Sequence, residues 1–280
     1  MFTIENKIFE GERAEFASHG TRYVGCTFQN GESPLKEGRS LEVVRCNFSY
    51  KYPLWYGEDI KAEDCLFAET ERAGVWYSKK ASFARLQIKG PKNFRKCESL
   101  SLRECEFLDA QETLWWNKDV LLENVEARNA AYFGMGSQNL TARNLELDGD
   151  YAFDGSSNLV LENCALRTKD AFWNCRKATL KNCRIIGEYF GWNSEDITLI
   201  NCHVESHQGF CYMKNLTLIN TEVVNSDLCF EYCANLDAEV VTEIDSVKNP
   251  ISGKIKAKGI KQLILDESKI DPHKTEIILE

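Results

Sequence analysis

The sequence predicts an all-β chain wound as a single-stranded parallel β-helix, a solenoid of about 12 rungs with irregular N- and C-terminal caps. Three observations predict it. A segment recurs every 19 to 21 residues, apolar and polar positions alternate on both sides of a turn-favouring marker, and no helical period separates the copies.

The repeat is plainest in ITLINCHVES and LTLINTEVVN, whose markers Asn201 and Asn220 lie 19 residues apart. Stepping back from Asn201 reaches Asn182, Asn163, Asn144 and Asn124, then Glu104, Arg85, Asp64, Arg45 and Gly25. Forward of Asn220 the frame loosens to Glu239 or Val240. Positions two and four before the marker are apolar (Leu199 and Ile197), as are one and three after it (Cys202 and Val204). Period two means strand with one buried face. The marker breaks the alternation, so the chain turns there, and Asn tolerates the left-handed conformation such a turn requires. Each copy then reads as strand, one-residue corner, strand, loop and a third short strand. A unit of this length cannot bury its face alone, so copies stack. A leucine-rich repeat does not fit, because a second strand follows the Asn. A pentapeptide repeat does not fit, because no five-residue period runs throughout.

The organisation expected is one domain over residues 1–280: an N-terminal cap over 1–20, regular rungs over 21–245, and weak last rungs with a C-terminal cap over 246–280. The net charge of -9 argues against nucleic acid or an anionic membrane as main partner. No apolar run approaches the roughly 20 residues that span a bilayer. The opening MFTIENKIFEGERAEF lacks the apolar core of a secretory signal, and the 12 cysteines read as reduced thiols, so the cytoplasm is the expected location.

The xLxLxNCxFx frame between Gly25 and Val240 resembles the right-handed, single-stranded parallel β-helices of the pectate-lyase type. The chain is also similar to a bacterial family of chains of about 280 residues, defined only as a domain of unknown function. The resemblance implies a right-handed helix and, by fold alone, a polysaccharide hydrolase or lyase. The motifs of those enzymes are missing: there is no N-T-D, D-D or G-H-G, no R-x-P-x-x-R and no aspartate trio for calcium. Whether the protein is an enzyme is left open by the sequence.

Seven cysteines (Cys26, Cys46, Cys65, Cys105, Cys164, Cys183 and Cys202) follow the marker, where Val125, Leu145 and Thr221 stand in other copies. The slot therefore asks for a small core residue rather than a thiol. Cys202, His203, His207 and Cys211 can be drawn as a zinc site, but neighbours on a strand face opposite ways, so no metal and no cofactor is expected. The Asn markers from 124 to 220 are expected to bond up the stack.

Nine residues before the marker runs a column rich in tryptophan, Trp55, Trp76, Arg95, Trp115, Met135, Asp154, Trp173 and Trp192, expected by alternation to face outward. Ten before lies a core column that includes Phe172, Gly191 and Phe210. Eight before come Tyr56, Tyr77, Lys96, Trp116, Gly136, Gly155, Asn174, Asn193 and Tyr212. The candidate ligand-binding set is Trp55, Trp76, Trp115, Trp116, Trp173, Asn174, Trp192, Asn193 and Tyr212. Rings beside amides and acids suit a glycan or another small polar ligand. Rings alone suit a protein partner, including a second copy in a homodimer, and a third reading has the preceding loops fold over the stripe and bury it. Candidate catalytic residues are Asp154, which interrupts the column, with Asp150, Asp170 and Arg176 in or near adjoining rungs.

Overall fold

The computed structural model describes residues 1–280 and divides into two compact units, Met1–Thr141 and Ala142–Glu280. Each unit is a parallel β-solenoid, and there are about 15 turns in all. The chain contains no α-helix.

In unit 1, Arg39–Val44, Glu58–Glu63, Lys79–Ala84 and Glu98–Arg103 pair in parallel, so that Leu41, Ile60, Ala81 and Leu100 form one buried row. In unit 2, Leu161, Leu180, Leu199 and Leu218 form a second buried row, two positions nearer the corner. The short second strands add an aromatic core row to unit 1. Phe9 stacks on Phe28 at 5.0 Å and Phe28 on Phe48 at 4.9 Å, and Phe67 meets Phe48 edge-on at 5.1 Å.

The corner explains why the strand turns. All twelve corner residues, from Asn6 and Gly25 through Asn201 and Asn220, have positive φ, between 46° and 63°. Asparagine enters this region more easily than other non-glycine residues. It also bonds along the stack: Asn182, Asn201 and Asn220 each donate from Nδ2 to the Oδ1 of the preceding marker, at 3.2, 3.3 and 2.8 Å. All seven marker-following cysteines are buried and none is paired. Cys46 and Cys65 accept the backbone N–H of the cysteine one coil earlier, at 3.3 and 3.4 Å.

Four expectations change. There are more coils than twelve, because residues 2–10 pair with 21–29 as a coil of their own and residues 236–279 add further coils. Residues 1–20 are therefore a coil rather than a cap. The third segment is a turn rather than a strand: Tyr56, Tyr77, Lys96, Trp116, Asn174, Asn193 and Tyr212 all have φ between 52° and 60°. Stacking survives there because the turns hydrogen-bond coil to coil, with Tyr56 N donating to Trp76 O at 2.9 Å. Finally, Phe190 and not Gly191 supplies the core ring between Phe172 and Phe210, since Gly191 bends to φ 78° with Met213 packed against it.

Asn201→Val is expected to destabilise by ~1–2 kcal/mol because a β-branched residue resists positive φ, whereas Asn201→Gly should change stability by less than ~1 kcal/mol. The shift in urea midpoint for the two variants checks the corner assignment.

Candidate functional site

The turn that replaces the third strand decides which aromatics reach solvent. In unit 1, residues nine before the corner are half-buried and their indoles are tied down: Trp55, Trp76 and Trp115 donate Nε1–H to the carbonyls of Ala73, Lys92 and Tyr132 at 2.5, 2.8 and 2.6 Å. Trp55 stacks on Trp76 at 5.0 Å with planes 8° apart. The buried guanidinium of Arg95 continues the pile, 5.0 Å from the Trp76 ring and 4.0 Å from Trp115. Its charge is met by Glu112, which accepts Nη2–H at 2.6 Å on its carboxylate and Nε–H at 3.0 Å on its carbonyl. The outward-facing indole column expected from alternation is thus a half-covered wall, because the chain turns through it instead of running straight.

Most residues eight before the corner are exposed, Tyr77 being half-buried. Tyr56 is 48% exposed and Trp116 47%. Tyr56 and Tyr77 stack at 4.8 Å, 6° from parallel. Lys96 lies 5.4 Å from the Tyr77 ring and 5.6 Å from Trp116. On the other side of Tyr56, the Lys36 ammonium sits 5.5 Å from its centroid. These tyrosines floor an open groove of 600 Å³ lined by Lys36, Glu37, Arg39, Tyr56, Gly57, Glu58, Tyr77 and Lys79. Arg39 pairs with Glu58 at 3.1 Å along its rim, and Lys79 with Glu98 at 3.5 Å. The period already placed Tyr56 and Tyr77 in one column. Lys36 and Glu37 extend the two columns back by one further period of 19 residues, and that signal marks the rest of the groove.

In unit 2, Trp173 donates its indole N–H to Tyr189 O at 3.0 Å, and a pile runs from Trp173 through Trp192 and Tyr212 to Tyr232 at 5.7, 4.8 and 5.3 Å. Beside it runs an amide row, in which Asn193 donates to Asn174 at 2.9 Å and Asn174 donates to Asp154 at 3.0 Å. Asp154 therefore ends an amide ladder. Asp150 accepts the backbone N–H of Lys169 at 3.1 Å, and the Lys169 ammonium pairs with Glu188 at 3.1 Å. Burial holds the Asp170 carboxyl above the usual carboxylate range, and the nearby Asp150 and Glu188 push the same way, against a hydrogen bond from Tyr151. Arg176 points away from these acids: its Nη1 donates to the carbonyls of Cys175 and Asn193, and its Nε lies 3.6 Å from Glu195. Asp150 and Asp170 share one electrostatic cluster, while Asp154 and Arg176 each belong elsewhere.

The four residues drawn as a zinc site are each engaged separately. Cys202 donates to Leu180 O and Ile200 O, both at 3.4 Å, and Cys211 to Gln208 O at 3.0 Å, with burial pushing its thiol up to about 12. His207 pairs with Asp227 at 2.6 Å. His203 is held between Glu222 at 2.7 Å and Glu205 at 2.9 Å, and its pKa is raised, chiefly by Glu222. A raised folded-state pKa adds stability that is complete below the unfolded value near ~6.5 and is lost as pH rises through the folded-state value. Glu222→Gln is expected to lower the His203 pKa in an NMR titration. The slope of urea midpoint against pH in that window should flatten in His203→Gln.

No curated protein matches the chain. Among solved structures it is similar to the tailspike protein of E. coli bacteriophage HK620 in complex with pentasaccharide, at 8% identity and TM-score 0.46, covering 88% of this chain and 60% of the tailspike. The chain thus spans less than two thirds of the tailspike's length. It is also similar to the A-module of the Azotobacter vinelandii mannuronan C-5 epimerase AlgE4, at 8% identity and TM-score 0.33, covering 94% of this chain and 89% of that one. A third similar structure is PfbA, a surface adhesin of Streptococcus pneumoniae, at 8% identity and TM-score 0.38, covering 94% and 84%. A family profile matches residues 2–278, and the chain accordingly belongs to the family described as protein of unknown function (DUF3737).

Proposed function

We propose that the protein binds a glycan in the groove of unit 1, with the Tyr56 ring as the stacking platform. The observation that carries this reading is the pairing of an exposed tyrosine with a groove whose rim alternates in charge. Stacked rings hide their faces from solvent, so most of the aromatic column offers only edges. Tyr56 is different: one face lies against Tyr77, and over the other stands the single Lys36 side chain. A sugar that displaces the ammonium gains a ring face for its C–H groups, while Glu37, Arg39, Glu58 and Lys79 meet its hydroxyls. The half-buried Trp55 and Trp76 serve as the rigid wall that holds the tyrosines in place. The reading assigns Trp116, Trp173, Asn174, Trp192, Asn193 and Tyr212 no direct contact in this groove.

A second reading, that bound sugar is also cleaved or isomerised, is favoured by one observation, the raised pKa of Asp170 beside Asp150 in unit 2. Such a pair suits general acid and base roles. Asp170→Asn abolishing turnover of a bound oligosaccharide would support it, and unchanged turnover would remove it. All twelve cysteines are unpaired, which supports a reducing compartment. No helix is long and apolar enough to cross a membrane.

The binding reading is tested by titrating a panel of neutral and acidic oligosaccharides. Tyr56→Ala should weaken the best ligand at least tenfold, about 1.4 kcal/mol, with the thermal midpoint nearly unchanged, while Tyr212→Ala should bind as the unaltered protein does. Failure of the unaltered protein to bind any member of the panel would sink the proposal.

A further inference from the structure

One acid of unit 1 lies in the core with no cation to meet it. Glu71 is fully buried in the turn that leads to Gly74, between the markers Asp64 and Arg85. Its carboxyl has a single hydrogen-bond partner: Oε2 accepts from Asn93 Nδ2 at 3.2 Å, and Oε1 accepts from no donor. The charges around it are engaged elsewhere. Lys51 on the preceding coil pairs with Glu32, and Lys92 and Arg95 on the following coil both pair with Glu112. Glu69 and Arg72, on the same turn, are exposed to solvent. Neither these nor the half-buried Lys89 offsets the burial, which holds the carboxyl well above the usual carboxylate range against the Asn93 bond alone. A Cβ added at Gly74 would collide with both Glu71 Oε1 and Asn93 Oδ1, so the two oxygens lie against the same spot. The Asn93 amide is not free to turn its oxygen away. Its Oδ1 accepts from Gly74 N at 2.8 Å, and its Nδ2 donates to Gly90 O at 3.0 Å as well as to Glu71. Two buried acceptors so placed repel unless one of them carries a proton, and only the carboxyl can.

We propose that Glu71 is held in the folded protein as a neutral carboxylic acid, with its proton on Oε1 facing Asn93 Oδ1, and that it is the positioning residue for the turn that fastens Trp55. The same turn presents Ala73 O to the Trp55 indole N–H at 2.5 Å, and it is tied to the coils on either side by Leu54 N to Gly74 O at 2.9 Å and Ala73 N to Pro91 O at 3.1 Å. Ionising Glu71 strands a charge in the core with one amide as partner, so the turn must open to admit water. Trp55 then loses its carbonyl, and the wall behind Tyr56 loosens. This holds whatever the groove binds, because it concerns the wall alone.

The folded state binds this proton more tightly than the unfolded chain does. The stability the site contributes is therefore complete below the unfolded value near ~4.3 and is lost as pH rises through the folded-state value. Glu71→Gln keeps the shape and has no proton to lose. Across that window its unfolding constant, from urea titrations at a series of pH values, should climb about tenfold less per pH unit than that of the unaltered protein, the signature of one bound proton. Infrared spectra of the unaltered protein at near-neutral pH should show a protonated-carboxyl band that shifts on carbon-13 labelling of glutamate and is missing in Glu71→Gln. By NMR, the Trp55 indole N–H should lose its protection from exchange as that band disappears at alkaline pH, while the Trp173 indole keeps its own; in Glu71→Gln both should stay protected. The absence of the band, an unchanged pH slope in Glu71→Gln, or Trp55 still protected once the band has gone would each overturn the proposal. So would a Glu71→Gln chain that exposes Trp55 at near-neutral pH or does not fold, since either shows that the charge itself is needed.

Discussion

Everything in this protein follows from the hydrogen bonding of one coil to the next. The bonds continue beyond the strands into the turns, as when Leu54 N donates to Gly74 O at 2.9 Å and Asn174 N to Trp192 O at 2.9 Å. Such continuity is possible only if successive coils turn at the same places. The chain meets that demand by putting left-handed residues in aligned columns. Each left-handed residue carries a small conformational penalty, and the coil-to-coil bonds and buried rows offset the sum.

Alignment means that each side chain lies over its counterpart in the next coil, and the consequences depend on chemistry. Apolar rows gain by it: the phenylalanine pile in unit 1 and the leucine row in unit 2 bury surface with little void. Amides gain by it, because each Asn can accept from one neighbour and donate to the next. Like charges lose, and the sequence mixes signs accordingly, with Arg39 over Glu58 and Arg184 near Glu205. These pairs are exposed and individually contribute little. Arg95 is the exception, buried between two indoles that substitute for water around its planar cation.

The same alignment restricts what an aromatic column can do. Rings stacked 5 Å apart satisfy one another and leave edges to solvent. An aromatic-rich flank is therefore not automatically a sugar-binding flank. In unit 1 the tyrosine pile stops at Tyr56, where the preceding coil supplies Glu37 in that column and the Lys36 ammonium lies over the ring.

The period, the strand faces, the corner and the inward cysteines were all legible in the sequence, because each depends on alternation within about ten residues of the marker. Asn201, Leu199 and Cys202 declare their places without any knowledge of the neighbouring coils. The third segment was not legible in that way. Alternation assumes an extended backbone, but the chain turns left-handed at Tyr56, so Tyr56 is exposed while Trp55 is half-buried. The coil at residues 2–10 lacked the full apolar signature, because Lys7 stands in the slot after the corner where other coils carry a small core residue. The sequence by itself thus determined the fold class and which residues share a column. Only the tertiary structure decided which column reaches solvent, which acids meet and where the tyrosine pile ends, because those depend on turn geometry and on contacts between coils about twenty residues apart.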